Sequence, residues 1–222
     1  MSGASRLDAA AATLRAGRVV LVPTDTVYGL AVDPSVPDAT AALYRIKARP
    51  PDVPIPVLAG DTEQAFALAG DIPDPAGALA ARFWPGGLTL VLPRRPGLGY
   101  DLGGPDEATI GVRVPDDPLV RALALEVGPL ATTSANLHGA TTPPTAAEVL
   151  AQLGPAASAI GAVLDDGPRR GLPSTVVRID GGHVVVLREG TVTRVTVERF
   201  TIATNSHTSH EGTIHEPGDR PT

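Results

Sequence analysis

The sequence contains no cysteine and few aromatic residues, and both absences limit what the protein can be. With no cysteine among 222 residues, disulfide bonds, thiolate nucleophiles and cysteine-based zinc sites are excluded. Because only 3% of the residues are aromatic, the core must be rich in Ala, Val and Leu. No apolar run approaches the roughly 20 residues that span a bilayer, and no signal-peptide pattern opens the chain. We therefore expect a cytoplasmic protein without a membrane partner.

Lysine is also nearly missing, since Lys47 is the only lysine among 18 basic residues. It stands in the segment Lys47-Ala48-Arg49-Pro50. A residue that precedes proline is pushed out of the helical region, so a helix should end near Lys47. In an extended segment Lys47 and Arg49 would then project to the same side. This geometry predicts an anion site, and the alternative is a solvated lysine at a helix end.

The net charge of -6 argues against a broadly basic surface for nucleic acid, although it permits a local basic pocket. Neither a Walker-type phosphate loop nor a Gly-x-Gly-x-x-Gly fingerprint is present, which makes the common nucleotide folds poor candidates. A Gly-x-Ser-x-Gly nucleophile turn is missing too.

Apolar periodicity and turn residues predict one α/β domain with a mixed twisted sheet. Asp38 is expected to cap the second helix, and the prolines of the second strand predict an edge position. The helices are predicted over 6–16, 39–47, 62–69, 75–83, 118–126 and 145–153, and the strands over 18–22, 54–58, 88–92, 109–114, 130–132, 162–164, 174–179 and 183–187.

Two segments lack periodicity. Residues 94–108 are rich in Gly and Pro, and a loop of this length predicts a lid over a site. Residues 201–222 are predicted to be a flexible polar tail after a catalytic domain over residues 1–200. The tail carries three histidines, for which disorder is favoured over a metal site because no rigid scaffold holds them.

Hydroxyl groups and cations recur in the turns at predicted strand ends. Such groups suit phosphate chemistry, where catalysis is mostly positioning and electrostatic stabilisation. A structural Ser/Thr turn is the alternative for the first of them. The turns carry Thr24 and Thr26, Lys47 and Arg49, Arg113, Thr132 with Ser134 and Asn136, Ser174 with Thr175, and Arg188.

The same turns form an ordered series of motifs that resembles the YrdC/Sua5 family over about residues 6–194. The motifs that carry the resemblance are residues 23–30 (PTDTVYGL), 47–50 (KARP), 84–89 (WPGGLT), 113–115 (RVP), 133–136 (TSAN), 173–177 (PSTVV) and 187–190 (LREG).

The resemblance implies a YrdC-like twisted α/β sheet around a basic cavity. It also implies an L-threonylcarbamoyladenylate synthase, a nucleotidyltransferase that combines L-threonine, bicarbonate or CO2, and ATP and releases pyrophosphate. The product would serve the threonylcarbamoyladenosine (t6A) modification of tRNA through a downstream transferase, and contact with tRNA is allowed. Magnesium is expected with ATP, without dedicated protein ligands.

The resemblance also implies roles for individual residues. Lys47 and Arg49 would be catalytic. A guanidinium suits a bidentate grip on a carboxylate, so Arg113 is assigned to threonine. By motif match, ATP would contact Lys47, Arg49, Val53, Thr109, Ser134, Asn136, Thr142 and Arg188, and threonine would contact Thr26, Arg113, Thr132 and Ser174.

Two departures from the family pattern accompany the resemblance. Leu58 stands where some relatives carry a histidine near the threonine, so that contact would be missing or replaced by packing. The stretch after Phe200 is too short for the second domain of longer relatives, which predicts the single-domain type. A family paralogue with another carbamoyl or nucleotide substrate, or an RNA-binding module, are the alternatives.

Overall fold

The strands and helices that build the site alternate along the chain, as the periodicity predicts. In the computed structural model, residues 3–105, 107–180 and 182–208 are described, with side chains from residue 6 to residue 203. The helices are α1 (Gly3–Arg15), α2 (Ala39–Lys47), α3 (Thr62–Phe66), α4 (Asp74–Phe83), α5 (Pro118–Val127), α6 (Ala146–Leu153) and α7 (Arg194–Thr208), and a 3-10 helix covers Gly154–Ala159.

Nine strands form one mixed sheet, which confirms the predicted fold class. The strands are β1 (Val19–Val22), β2 (Gly29–Val32), β3 (Val57–Leu58), β4 (Leu88–Pro93), β5 (Thr109–Arg113), β6 (Leu130–Ser134), β7 (Ile160–Val163), β8 (Thr175–Asp180) and β9 (His183–Arg188). Their order across the sheet is β7-β1-β2-β6-β3-β5-β4-β8-β9. Parallel pairs join β1 to β7, β3 to β5 and β4 to β8, and the other pairs are antiparallel.

The two faces of the sheet are covered unequally. The larger apolar cluster packs α2, α4, α6 and α7 against strands from β1 to β9. The smaller cluster packs α1 and α5, through side chains such as Leu14 and Leu123, against β1, β2, β3 and β6. Among the described residues, no side chain of β4, β5, β8 or β9 belongs to this smaller cluster. One face of those strands is therefore left open.

The local signals explain most element boundaries. Asp117 accepts from the N–H groups of Leu119 and Val120 and begins α5, while Thr145 forms the predicted capping box with Glu148. The prediction that Asp38 caps α2 is wrong, because Asp38 has φ 62° and its side chain makes no capping hydrogen bond.

Two further differences concern strands. The predicted edge strand at 54–58 is wrong: only Val57 and Leu58 form ladder pairs, and β3 lies between β5 and β6. Pro54 and Pro56 precede those pairs, so they remove no donor from the ladder. Strand β2 was not predicted.

Helix α7 covers residues 194–208. The predicted division between a catalytic domain and a tail at residue 200 stays a prediction, and the predicted tail histidines His210 and His215 lie outside the described residues.

Candidate functional site

A cavity of about 400 Å³ occupies the open face of the sheet. Its size falls in the range of roughly 300–1,000 Å³ that is typical of small-molecule sites. Its floor is formed by residues that alternate along their strands with residues of the larger apolar cluster on the other face of the sheet. Leu58 pairs with Arg113, Val91 with Gly111, and Thr89 with Val176, and all six line the cavity.

Gly111 leaves space in the cavity because it has no side chain. A Cβ built on Gly111 would lie 3.2 Å from the Cβ of Pro56, another lining residue. Leu58 is only 4% exposed and packs with the smaller apolar cluster. Leu58, Val91, Gly111 and Val176 therefore form an apolar part of the floor beside Arg113 and Thr89.

Arg113 is the most deeply buried cation of the cavity. Its Nε donates to the Gly86 carbonyl at 2.8 Å, its Nη1 to Thr26 Oγ1 at 3.2 Å, and its Nη2 to Asp25 Oδ1 at 2.5 Å. Burial lowers the pKa of Arg113, while the nearby Asp25 carboxylate raises it. Arginine nevertheless stays protonated at neutral pH, so Arg113 presents a positive charge.

The turn before β2 is a structural Ser/Thr turn as well as a cavity wall. Thr24 Oγ1 accepts from the N–H groups of Thr26 and Val27, each at 3.2 Å, and donates to the Val27 carbonyl at 2.6 Å. Thr24 and Thr26 are both buried and line the cavity. The structural Ser/Thr turn, which was the alternative for this segment from the sequence, is therefore present, and both threonines also line the cavity.

Arg188 and Ser174 form a second part of the cavity wall. The Nε and Nη2 groups of Arg188 donate to the Ser174 carbonyl at 3.2 and 2.8 Å, and Nη2 also reaches Ser174 Oγ at 3.2 Å. Ser174 Oγ lies 3.0 Å from Thr89 Oγ1. Thr175, fully buried, accepts from the N–H groups of Gly190 and Val192 and so fixes the loop that follows Arg188.

Arg49 and Val53 stand at the third side of the cavity. Arg49 lies over the Tyr44 ring at 5.8 Å and donates from Nη2 to the Val53 carbonyl at 3.0 Å. The Tyr44 hydroxyl donates to the carbonyls of Val53 and Leu102, at 2.8 and 2.9 Å. Leu102 belongs to the predicted lid segment and lines the cavity. This segment therefore forms part of the wall in the described structure.

Lys47 lies behind the cavity wall and does not line the cavity. Its Nζ donates to the carbonyls of Ser134 and Asn136 at 2.5 and 2.8 Å, with Asn136 Oδ1 at 3.3 Å. Thr142 Oγ1 donates to the same Oδ1 at 3.1 Å. Burial first, and then the charge of Arg49, lowers the pKa of Lys47 to about 8.

The expectation that Lys47 and Arg49 share one face of an extended segment is wrong. Lys47 is the last residue of α2, and Ala48 is left-handed with φ 49°. The N–H groups of Ala48 and Arg49 bond the carbonyls of Arg45 and Tyr44, which is the pattern of a Schellman motif. Lys47 therefore points under the 134–136 turn while Arg49 faces the cavity.

The structure brings nine of the twelve predicted site residues to one cavity. Lys47, Asn136 and Thr142 form the network behind it instead. The nine that line the cavity are Thr26, Arg49, Val53, Thr109, Arg113, Thr132, Ser134, Ser174 and Arg188.

Several polar residues of the site were not among the twelve assigned from the sequence. Thr89, Thr133 and Arg178 line the cavity, and Asp25 pairs with Arg113. The position of Asp25 next to Thr26, a predicted site residue, was a signal for it. Arg178 had a signal too, since it lies two residues after Val176 and strand alternation puts both on one face.

No carboxylate lines the cavity among the described residues. In the same part of the chain, no group of three or more His, Asp and Glu side chains could hold a metal ion. None of the described helices is long and apolar enough to cross a membrane.

Comparison with known proteins identifies relatives of this chain. A family model described as "Telomere recombination", for Sua5, YciO and YrdC, matches residues 12–190. The "Threonylcarbamoyl-AMP synthase" of Bacillus subtilis is 40% identical over 191 residues, which are 85% of this chain and 54% of that protein. A "Putative threonylcarbamoyl-AMP synthase" of Mycobacterium tuberculosis is 39% identical over 184 residues, 82% of this chain and 83% of that protein.

Solved structures share the fold. Sua5 of P. abyssi complexed with L-threonine superposes with a TM-score of 0.80 at 33% identity, covering 87% of this chain and 56% of that one. YciO of E. coli has a TM-score of 0.76 at 26% identity and is covered to 91%. The chain thus spans about half the length of the Bacillus subtilis and P. abyssi relatives. It spans most of the length of the Mycobacterium tuberculosis relative and of E. coli YciO.

Proposed function

Because this chain belongs to the Sua5/YciO/YrdC family, we propose that it synthesises L-threonylcarbamoyl-AMP from L-threonine, bicarbonate or CO2, and ATP. One observation carries the proposal: a single cavity unites Arg49, Arg113 and Arg188 with hydroxyl groups from separate strand ends. Relatives that are 40% and 39% identical to this chain bear the names threonylcarbamoyl-AMP synthase and putative threonylcarbamoyl-AMP synthase. The reaction joins two anions, so it requires cations that reduce their repulsion.

The amino acid is proposed to bind at the Arg113 end. Three of the five N–H bonds of Arg113 are taken by protein oxygens, which leaves one on Nη1 and one on Nη2 for a carboxylate. The hydroxyls of Thr26, Thr132 and Ser174, which line the same cavity, are proposed as further polar contacts. The apolar floor beside them suits the methyl group of threonine.

The nucleotide is proposed to lie between Arg49 and Arg188. Both guanidinium groups bond only to neutral oxygens among the described residues, so their charges are available to phosphate. Ser134, Thr109 and the Val53 backbone complete the proposed nucleotide contacts. Lys47, Asn136 and Thr142 would act from behind by fixing the 134–136 turn.

In the proposed reaction the threonine amine adds to CO2 and loses a proton, giving a carbamate. A carbamate oxygen attacks the α-phosphorus of ATP, the bond to the β-phosphate breaks, and pyrophosphate leaves. This step makes the enzyme a nucleotidyltransferase. The cations of Arg49 and Arg188 would stabilise the charge that develops on the phosphates.

Magnesium is proposed to arrive with ATP and to be held by phosphate oxygens, since the cavity contributes no carboxylate ligand among its described residues. We also propose that the protein acts in the cytoplasm and passes its product to a transferase that modifies tRNA. Direct contact with tRNA stays a prediction.

Pyrophosphate release by the purified protein tests the proposal. We expect release from ATP only when L-threonine and bicarbonate are both present. Equal release with serine, or without an amino acid, would contradict the threonine assignment and favour a paralogue with another substrate. Tight tRNA binding that weakens steeply with salt, without ATP consumption, would favour an RNA-binding module.

A further inference from the structure

Arg113 differs from the other cavity arginines in having a carboxylate partner that is mostly buried. The Arg113–Asp25 pair measures 2.5 Å, and the two side chains are 6% and 16% exposed. Asp25 does not line the cavity, so a ligand at Arg113 would meet the guanidinium with Asp25 beside it. The Asp25 carboxylate therefore compensates the charge of Arg113 before any ligand binds, and Arg188 is the further charge that acts on this guanidinium.

The other arginines that line the cavity have no such carboxylate partner among the described residues. Arg49 donates to a carbonyl, and its Nε is buried with no hydrogen-bond partner. Arg188 donates to the carbonyl and hydroxyl of Ser174. Arg178 has a carboxylate partner, Asp180, but at 3.5 Å and with both side chains about half exposed or more, where solvent screens the pair.

This asymmetry has an electrostatic consequence. A buried ion pair attracts a further anion much less than a lone buried cation does, and the difference grows with the charge of the anion. A zwitterionic amino acid brings one carboxylate and no net charge, so the Asp25 carboxylate weakens its binding only a little. Phosphate dianions and polyphosphates bring two or more negative charges, so Asp25 weakens their binding most.

We infer that Asp25 determines which ligand Arg113 accepts: it keeps phosphate groups away from Arg113 and reserves that guanidinium for a singly charged carboxylate. Asp25 is thus a specificity-determining and positioning residue that acts through Arg113. The identity of the carboxylate ligand as L-threonine rests on the proposed function, whereas the discrimination against phosphate does not.

Inorganic phosphate is the probe for this inference. In the wild-type protein, phosphate should compete with ATP but not with labelled L-threonine in equilibrium dialysis. In Asp25→Asn, phosphate should compete with threonine at a concentration at least about tenfold lower than in the wild type, because one buried charge beside the ligand is removed. Asp25→Glu, which keeps the carboxylate, should restore the discrimination.

A control variant and a predicted outcome separate this effect from a loss of structure. Asp180→Asn removes the exposed partner of Arg178 and should leave phosphate competition unchanged. If Asp25 only supported the fold, Asp25→Asn would weaken threonine and phosphate binding alike. That result would overturn the inference. Competition between phosphate and threonine in the wild type would also overturn it, and this measurement does not depend on the folding of any variant.

The outcomes also separate this inference from the proposed function. If the wild type binds no threonine, the proposed function is wrong. The role of Asp25 can then still be tested by measuring how much phosphate stabilises the protein against thermal unfolding. Asp25→Asn should then gain more thermal stability from phosphate than the wild type does. An equal or smaller gain would overturn the role of Asp25.

Discussion

Lys47 shows how a single ammonium group can organise a turn. Its three protons face the carbonyls of Ser134 and Asn136 and the Asn136 side-chain oxygen. A compact ammonium can donate in three directions from one point, while the planar guanidinium of arginine cannot. The choice of lysine at this one position is therefore explained by buried geometry and not by contact with the cavity.

The protonated form of Lys47 should be required for activity. Because its pKa is lowered to about 8, the ammonium is lost as pH rises through that value, and its three hydrogen bonds to protein oxygens weaken. We expect kcat/KM for pyrophosphate release to fall above about pH 8. In Lys47→Arg that alkaline decline should vanish, and the remaining activity should be lower by about 100-fold or more, because a guanidinium does not fit the site.

Unfolding does not account for the expected decline. The pKa of Lys47 is 10.5 in the unfolded chain and about 8 in the folded one, so between these values the unfolded state binds more protons. The contribution of Lys47 to stability therefore rises with pH in this window. Arg45→Lys, an exposed exchange on the same helix, should be unchanged, and full activity of Lys47→Arg would refute the role of Lys47.

At the scale of elements, the sequence predicted structure where local signals were strong. The capping box at Thr145 and the alternation around Arg113 placed α6 and β5 within one or two residues. The end of α2 was predicted, but its geometry was not, because Ala48 occupies a left-handed position where glycine is the usual signal. The position of strand β3 in the sheet was predicted wrongly, because a strand with only two paired residues is too short to show a periodic pattern.

The 94–108 segment is held to the cavity wall by Tyr44. The Tyr44 hydroxyl bridges the Val53 and Leu102 carbonyls, and the Cβ of any residue replacing Gly103 would lie 2.2 Å from that hydroxyl. Tyr44→Phe keeps the ring and removes the bridge. We expect faster amide hydrogen exchange in residues 98–105 and a higher KM for ATP, with global stability reduced by about 1–3 kcal/mol.

Tyr100→Phe is the matched control for this prediction. Tyr100 lies in the same segment, and no hydrogen bond to its hydroxyl occurs among the described residues. Its exchange and its KM for ATP should stay close to wild type. Unchanged exchange in Tyr44→Phe would show that packing alone holds the segment.

For the whole molecule, the function depends on which strand ends the fold brings together. The cavity exists because α1 and α5 cover only half of one sheet face. Turns from distant parts of the chain, such as Thr26 and Ser174, meet there. The motif series predicted this set of residues, but not that Lys47 would stand behind the wall or that Asp25 would pair with Arg113, since neither depends on spacing along the chain.

The central claim is that this cavity joins a carbamoylated threonine to AMP. The most direct measurement is mass spectrometry of the product formed from ATP, L-threonine and bicarbonate with an isotopically labelled carbon. We predict a threonylcarbamoyl-AMP ion that carries the label, with pyrophosphate in equal amount. Free AMP, or a conjugate of AMP and threonine without the labelled carbon, would contradict the account.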